Sequence, residues 1–403
     1  MKLYAQQGYG TGSGDNDRII AGLKGGYIDG AIISPKDYAL DRTMAQLQRI
    51  EAEFPHADRL FDPQWYACVL AHDPNSRMGN LASYDYSYFE ARRRSQLESE
   101  NQVKVDLESC LQFQSQLPVT SVIAPGIVIR QRFNSVEAVV AKNYLRNARE
   151  VWNSVGDGRP LLGTLAIDAE ALQDRHALEE FLAEITVLDM PPDGIYLLIH
   201  QPTSEIPSEL IDSRTLAGWM LMNHSLSLNG FEVVNGYSDL LTPFLGAAGG
   251  VAGATGWFNT QKVFSLDRFS PPQPGGRRPV PRYLSTNLIN SIRVDEFQLL
   301  RRRFPEIVNG LSTDDYYNPE DGSMPENQVE EVLQSWEAIK RLNPTNQAEA
   351  LTACDRYVNA ALNLYERINI SPGMRLMGRS NGDHLNSIRT SLRLFAELAE
   401  IDL

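Results

Sequence analysis

Three side chains that can carry acid–base chemistry, Asp62, Asp168 and His200, each end a short apolar run of the sequence. Carboxylates held about 5–9 Å apart can act as an acid–base or nucleophile pair in glycosidic-bond chemistry. A histidine beside them can act as a general base or as a ligand. We therefore take these three residues as the candidate catalytic residues, with Asp62 and Asp168 as the leading pair.

A structural role is also open for each of these residues. Asp168 precedes Ala169–Leu172, which fits a helix start, so its carboxylate could instead cap that helix. Asp62 precedes Pro63 and cannot cap a helix that starts immediately. His200 could equally bond a backbone carbonyl. A metal site would need all three residues as ligands, and no local spacing supports one, so we predict neither a metal nor another cofactor.

Eight short apolar runs, most of them ending in polar or Gly/Pro-rich residues, must position these side chains. Helical periodicity fills most of the intervals between the runs, and this alternation predicts an α/β fold of the (β/α)8 TIM-barrel type. Such a barrel gathers its functional residues at the C-terminal ends of its strands. The runs are 3–7, 30–34, 59–62, 121–124, 161–168, 194–200, 231–235 and 253–257.

Polar and aromatic residues near the ends of these runs predict a binding site at the mouth of the barrel. Such a lining suits a small polar ligand such as a sugar or a nucleoside. The aromatic rings could stack on that ligand, or they could be core side chains that plug the mouth. The predicted ligand-binding residues are Gln6, Ser34, Lys36, Gln64, Tyr66, Asn235, Tyr237 and Trp257.

A glycine-rich run, Gly246–Gly256, adjoins the last apolar run. Its backbone amides could cradle a phosphate, because phosphate sites often lie beside the last two strands of a barrel. Alternatively, its small residues let a helix and a strand pack closely. The run matches neither a dinucleotide-binding fingerprint nor a P-loop, so the sequence leaves both interpretations open.

The remaining sequence divides around the barrel. We predict a barrel over residues 1–269 that contains an insertion at 66–117 after the third strand, which would act as a lid or a partner surface. A Pro/Gly linker follows at 270–282, because its prolines and glycines disfavour regular structure. Helical periodicity through 283–403 predicts a C-terminal helical appendage packed on the barrel, with helices near 285–304, 326–342, 346–368 and 384–400.

Composition limits the classes of partner. The 403 residues carry a net charge of −14, which disfavours nucleic acid and anionic membrane surfaces without excluding a local basic groove. No apolar run approaches the roughly 18 residues of a membrane span, and the N-terminal residues lack the apolar region of a secretory signal. Three scattered cysteines fit a reducing compartment, so we expect a cytoplasmic protein without a membrane partner.

Two segments resemble the tRNA-guanine transglycosylase-like barrels. Ile28-Asp-Gly-Ala-Ile-Ile-Ser-Pro35 is similar to a strand of the DNA-modifying members, and Phe61-Asp-Pro-Gln-Trp-Tyr66 lies where the family carries Asp-Ser-Gly-Gly-Phe-Gln. The resemblance implies a (β/α)8 barrel and base exchange at a glycosidic bond, with Asp62 as the acid–base residue. The second segment lacks the paired glycines, and the sequence lacks the cysteine zinc cluster of the family.

Two functional hypotheses follow. The first is an enzyme that acts on a polar sugar- or nucleoside-like ligand through carboxylate acid–base chemistry, in glycosidic-bond transfer or hydrolysis. The alternative is a non-catalytic barrel that serves as a scaffold in a multi-component complex and contacts protein partners through 66–117 or 283–403. An open mouth where Asp62, Asp168 and His200 converge would favour the enzyme. A mouth filled by Trp65, Tyr66 and Trp257 would favour the scaffold.

Overall fold

A computed structural model describes the fold of this chain. The described residues are 1–10, 12, 14–70, 78–205, 207–270, 280–317 and 328–403. Residues 71–77 of the predicted insertion and 271–279 of the predicted linker lie outside the described residues.

Parallel strands form a nearly closed barrel with helices between them, as the alternation of apolar runs predicts. Two short strands, β4 and β5, share the fourth position, and both pair with β6. The last strand of the barrel pairs with the first. The strands are β1 (Lys2–Gln6), β2 (Gly30–Ile33), β3 (Asp58–Phe61), β4 (Val122–Ile123), β5 (Val128–Ile129), β6 (Leu161–Asp168), β7 (Gly194–His200), β8 (Glu232–Gly236) and β9 (Ala252–Thr255).

The ring closes between β3 and β4 through Arg59 and Thr120. The Thr120 amide donates to the Arg59 carbonyl at 2.8 Å, and the Arg59 amide donates to the Thr120 hydroxyl at 2.9 Å. The Thr120 hydroxyl thus replaces one backbone carbonyl as an acceptor in the hydrogen bonds between these two segments.

Helices surround the strands, and polar residues cap several of them. Asp17 accepts hydrogen bonds from the amides of Ile19 and Ile20 at the start of α1, and Ser135 caps α5 in the same way. The barrel helices are α1 (Arg18–Lys24), α2 (Leu40–Glu53), α3 (Arg94–Leu97), α4 (Glu100–Ser115), α5 (Val136–Val155), α6 (Arg175–Ile185), α7 (Ser213–Leu228), α8 (Thr242–Ala247) and α9 (Asn259–Lys262).

Alternate residues of each strand face the barrel interior and the helices. In β7, Tyr196 and Leu198 belong to the interior cluster, whereas Ile195, Leu197 and Ile199 pack with the helix layer. Both faces are buried, as is usual for parallel strands flanked by helices. The alternation decides which residues at the strand ends reach the mouth.

The predicted insertion divides into two structural parts. Its second half forms α4, which packs on α5 and β4 and occupies the place of an ordinary barrel helix. In its first half, Tyr66, Met78 and Leu81 are buried with the interior cluster. The described residues of this first half thus include side chains that pack with the barrel interior.

The C-terminal region differs from the prediction at its start. A β-hairpin, β10 (Arg282–Ser285) and β11 (Asn290–Arg293), occupies part of the segment 285–304 that we predicted to be helical. Leu284, Leu288 and Ile292 recur every fourth residue, a spacing that fits one face of a helix as well as one face of a strand. Helices α10 (Val294–Leu300), α11 (Gln328–Leu342), α12 (Ala350–Asn369) and α13 (Asp383–Leu398) follow.

This region packs against the outer helices of the barrel. Helix α13 contacts α7, α12 contacts α8, and α11 contacts α1. The Lys340 ammonium lies 2.7 Å from the Asp29 carboxylate, and the Trp336 ring lies against Gly22. Apolar residues of the barrel and of the C-terminal region therefore belong to one continuous cluster.

Within the described residues, no helix is both long enough and apolar enough to cross a membrane. Cys68, Cys110 and Cys354 are buried free thiols. They fill space as small apolar side chains do.

Candidate functional site

Asp62 lies inside the barrel, directly after β3, and only 1% of its surface is exposed. Its carboxylate accepts hydrogen bonds from the hydroxyl of Tyr66 at 2.8 Å, the hydroxyl of Tyr196 at 3.3 Å and the amide of Gln64 at 2.9 Å. Burial raises the pKa of Asp62, and these bonds offset the increase only in part. The surroundings of Asp62 thus favour its neutral form more than water does.

A buried ion pair lies beside this group. Arg268 donates to the Asp37 carboxylate at 2.9 Å and to the Tyr237 hydroxyl at 2.8 Å. Both charged side chains are almost completely buried. The Tyr237 hydroxyl also accepts from the Gln6 side chain at 3.1 Å, and burial raises the pKa of Tyr237 to about 12. This pair links the end of β2 to the segment that follows β9.

Four buried polar atoms at the ends of β1, β2 and β3 have no hydrogen-bond partner among the described residues. They are Gln6 Oε1, Gln7 Nε2, Ser34 Oγ and Gln64 Nε2, called here the unpaired mouth atoms. The Gln7 and Gln64 amide groups are oriented by the backbone, because their oxygens accept from the Ser34 and Lys36 amides. Buried polar groups normally have partners, so this cluster requires an explanation.

Residues with a left-handed backbone also gather at the mouth. Gln64 has φ 54°, Gln131 has φ 53°, Tyr237 has φ 59° and Asp239 has φ 43°. Each follows the end of a barrel strand, and none is a glycine. Such conformations cost about 1–3 kcal/mol each and cluster at ligand-binding and active sites.

Asp168 and His200 meet at the rim of the mouth. The carboxylate Oδ1 of Asp168 lies 2.7 Å from Nδ1 of His200, and Oδ2 accepts from the Gln131 amide at 3.0 Å. Burial would raise the pKa of Asp168, but the bonds from His200 and Gln131 and the charge of Arg130 outweigh it and lower the pKa. The carboxylate orients the imidazole and does not cap a helix; Asp174 caps α6 instead.

A short segment, Val263–Phe269, covers the mouth and is called here the cover segment. The Phe264 carbonyl accepts from the Gln201 amide at 2.9 Å, which attaches the segment to the end of β7. The Phe264 ring packs edge-on to Tyr66 at 4.8 Å and to His200 at 5.8 Å. Phe264 and Tyr66 thus lie in contact at the mouth, whereas Trp65 belongs to the outer cluster, where its indole donates to the Tyr144 hydroxyl at 2.9 Å.

The structure brings together two of the three candidate catalytic residues. His200 and Asp168 form a pair at the rim, while Asp62 lies in a separate hydrogen-bonded group with Tyr66. The Phe264 ring contacts both groups. Asp62 therefore does not belong to the same hydrogen-bonded group as Asp168 and His200.

The predicted ligand-binding residues divide between the mouth and other surroundings. Gln6, Ser34, Lys36, Gln64, Tyr66 and Tyr237 belong to the mouth. Asn235 does not, because it faces the helix layer, where it bonds Asn223 and accepts from the Trp219 indole at 2.7 Å. Trp257 lies farther out, where its indole donates to the Tyr9 carbonyl at 3.1 Å.

The glycine-rich run Gly246–Gly256 packs against protein atoms. A Cβ on Gly246 would lie 2.7 Å from the Met1 sulfur, and one on Gly250 would lie 2.8 Å from the Asn223 side-chain oxygen. This proximity favours the packing interpretation over a phosphate cradle, because neighbouring groups already occupy the space beside these glycines.

Sequence reasoning missed Arg268 and Phe264. Both lie beyond Trp257, the last residue along the chain that we predicted for the site. One available signal was the position of Arg268 within the otherwise mostly apolar cover segment, since a charge there needs a buried partner. Among the described residues, no group of three or more His, Cys, Asp or Glu side chains could hold a metal ion.

No family model matches this chain, and no curated protein is significantly similar to it. The resemblance to transglycosylase-like barrels stays a prediction that depends on two short segments.

Proposed function

We propose that the barrel mouth is an enzyme site for a small polar ligand of the sugar or nucleoside type. Asp62 and the Asp168–His200 pair would carry out acid–base chemistry there, in glycosidic-bond transfer or hydrolysis. The observation that supports this proposal is the cluster of unpaired mouth atoms beside the Asp62 group.

These atoms match a ligand that both donates and accepts hydrogen bonds. Two are amide donors, one is an amide acceptor, and the Ser34 hydroxyl can do either. An unsatisfied buried polar group costs about 1–3 kcal/mol, so a ligand that satisfied all four would recover a substantial free energy. Sugar hydroxyls and the polar edges of nucleobases provide this mixture of groups.

Asp62 and the Asp168–His200 pair suit opposite roles, that of an acid and that of a base. The raised pKa of Asp62 favours a protonated carboxyl that can donate a proton. The Asp168 carboxylate accepts a hydrogen bond from Nδ1 of His200. Nε2 of the same imidazole has no partner among the described residues. Imidazole in this arrangement can accept a proton as a general base. A ligand would reach Asp62 only after Phe264 moves aside.

Ser34→Ala tests the proposal directly. The Ser34 hydroxyl has no protein partner, so its removal is expected to leave the melting temperature unchanged or higher. Ligands would first be sought by native mass spectrometry of the purified protein and by calorimetric titration with monosaccharides and nucleosides. We expect one class to bind and Ser34→Ala to weaken its affinity about tenfold.

Ser238→Ala is the matched control, because this buried serine hydroxyl is bonded to Thr242. It is expected to destabilise the protein without changing ligand affinity. The proposal fails if no ligand of either class binds, or if both serine variants affect binding equally.

The scaffold alternative is favoured by the closed mouth. Tyr66, Phe264, Leu266 and Phe269 are buried there and need no ligand to fill the space. A protein partner would then contact 66–117 or 283–403. A protein that captures no partner and stays monomeric across concentrations by light scattering would exclude this alternative.

A further inference from the structure

A cavity of about 390 Å³ lies between the barrel and the C-terminal region, outside the group of residues around Asp62. Asp239 after β8 and Lys262 at the end of α9 line its barrel side. Arg282 of β10, Glu331 of α11 and Arg379 line its other side. The volume fits a small molecule, and the charged walls come from distant parts of the sequence.

Its three cations have no carboxylate partner among the described residues. Lys262 and Arg379 form no side-chain hydrogen bond there either. The half-buried Arg282 guanidinium donates to the backbone carbonyl of Ser291. Charges removed from water are normally paired, so an unpaired half-buried arginine is unusual.

The carboxylates around the cavity, in contrast, already have partners. Glu331 accepts from the Arg282 amide at 3.0 Å, and Asp239 accepts from the Thr255 hydroxyl. Glu209, a third acidic lining residue, also interacts within the protein. Glu331 and Asp239 thus each have a hydrogen-bond donor within the protein, whereas the Lys262 and Arg379 side chains have no hydrogen-bond partner among the described residues.

The electrostatics point in the same direction. Burial and then the positive charge of Arg379 lower the pKa of Arg282, and the negative charges of Glu209 and Glu296 offset part of the decrease. The two arginines therefore repel each other. An anion placed between them would relieve this repulsion and would compensate for the hydration that Arg282 loses on burial.

We propose that the cavity is an anion site that binds the phosphate group of a small ligand through Lys262, Arg282 and Arg379. Arginine presents five N–H donors in a planar fork and lysine presents three, more than the two oxygens of a carboxylate can use. A phosphate group offers more oxygens and suits bidentate arginine contacts. This inference does not depend on the function proposed for the mouth.

Titration of the full-length protein with inorganic phosphate at constant ionic strength tests the proposal. Binding would be followed by calorimetry and by ³¹P line broadening, with acetate as the competing carboxylate. We expect saturable phosphate binding that acetate does not displace. Arg379→Gln is expected to weaken it about tenfold, the usual effect of losing one charge-assisted contact.

Arg375→Gln is the matched control, because it removes an equal charge four residues away, at an exposed arginine that does not line the cavity. Lys262→Gln gives an independent second test should Arg379→Gln perturb folding. The proposal is overturned if phosphate does not bind, if acetate competes equally, or if Arg375→Gln and Arg379→Gln weaken binding alike.

Discussion

The charge of Asp62 depends on a competition between burial and hydrogen bonding. Three donors stabilise its ionised form, and Arg268 adds a favourable charge, yet burial raises the pKa overall. A raised pKa moves a carboxyl group towards the range in which it can act as a general acid. The surroundings of Asp62, more than its residue type, therefore determine its pKa.

Asp62→Asn is expected to change the pH dependence of stability. A raised folded-state pKa means that the wild type loses stability as pH rises from about 3.9, the unfolded value, through the folded value. Asparagine cannot ionise, so the variant should gain stability relative to the wild type over this range. Denaturant unfolding at a series of pH values measures the difference. A constant difference at every pH would contradict the prediction.

Asp168→Asn should give the opposite sign. The folded-state pKa of Asp168 is lowered, so its contribution is present above about pH 3.9 and is lost as pH falls through the folded value. The variant should lose about 1 kcal/mol at neutral pH, the scale of one partly exposed charge-assisted hydrogen bond. If the proposed function is correct, turnover should also fall about 10²–10⁴-fold. An unchanged pH profile of stability would exclude this role.

Individual mouth residues were predictable where only the end of a strand had to be located. Ser34 and Gln64 follow β2 and β3, and the apolar runs place both correctly. Asn235 was misplaced because both faces of a parallel strand are apolar, so the sequence does not reveal which alternate residues point inward. Asn235 faces the helices because it bonds Asn223 and Trp219, and these contacts are visible only in the folded structure.

The cover segment contacts the residues of the mouth through two side chains. It carries the ring of Phe264 and the guanidinium of Arg268. The Arg268–Asp37 ion pair fixes one end of it to the residues after β2. The closed state therefore depends on a few specific contacts.

Breaking this ion pair on one side should loosen the cover segment. Arg268→Met leaves Asp37 buried with the Lys36 ammonium, at 3.4 Å, as its remaining ion-pair partner among the described residues. The loss should therefore be smaller than the about 3–5 kcal/mol that a fully unpaired buried charge costs. Adding Asp37→Asn should recover part of this loss, so the two substitutions should not be additive. Denaturant unfolding of both single variants and the double variant measures the coupling. Hydrogen exchange at the Gln201 amide, which bonds Phe264, should become faster. Additive losses would indicate that the pair does not hold the segment.

At the level of elements, the alternation of apolar runs and helical periods was sufficient for the barrel. It failed at β10 and β11, because apolar residues four apart fit a strand face as well as a helix face. The sequence also did not predict the cover segment, because its position depends on contacts with Tyr66 and His200 rather than on a local pattern.

The whole molecule has one continuous hydrophobic cluster that includes the barrel and the C-terminal region. Helix α11 contributes Trp336, whose ring lies against Gly22 of α1. We therefore expect the parts to unfold together rather than as independent domains.

Gly22→Ala tests this cooperativity. The new Cβ would lie 2.6 Å from the Trp336 ring, and overpacking of this kind costs about 1–3 kcal/mol. Calorimetry should record one transition that moves as a whole to lower temperature. Gly158→Ala, at a glycine with open space around it, should leave that transition in place. Two transitions, only one of which moves, would contradict a shared core.

The left-handed residues after the strands have a consequence for engineering this protein. Glycine would adopt the backbone of Gln64 or Tyr237 with less strain. Each side chain is buried and hydrogen-bonded, however: Gln64 accepts from the Lys36 amide, and the Tyr237 hydroxyl accepts from Arg268 and Gln6. Truncation to glycine would leave a cavity, which costs more than the relieved strain, so neither position should yield a thermostable variant.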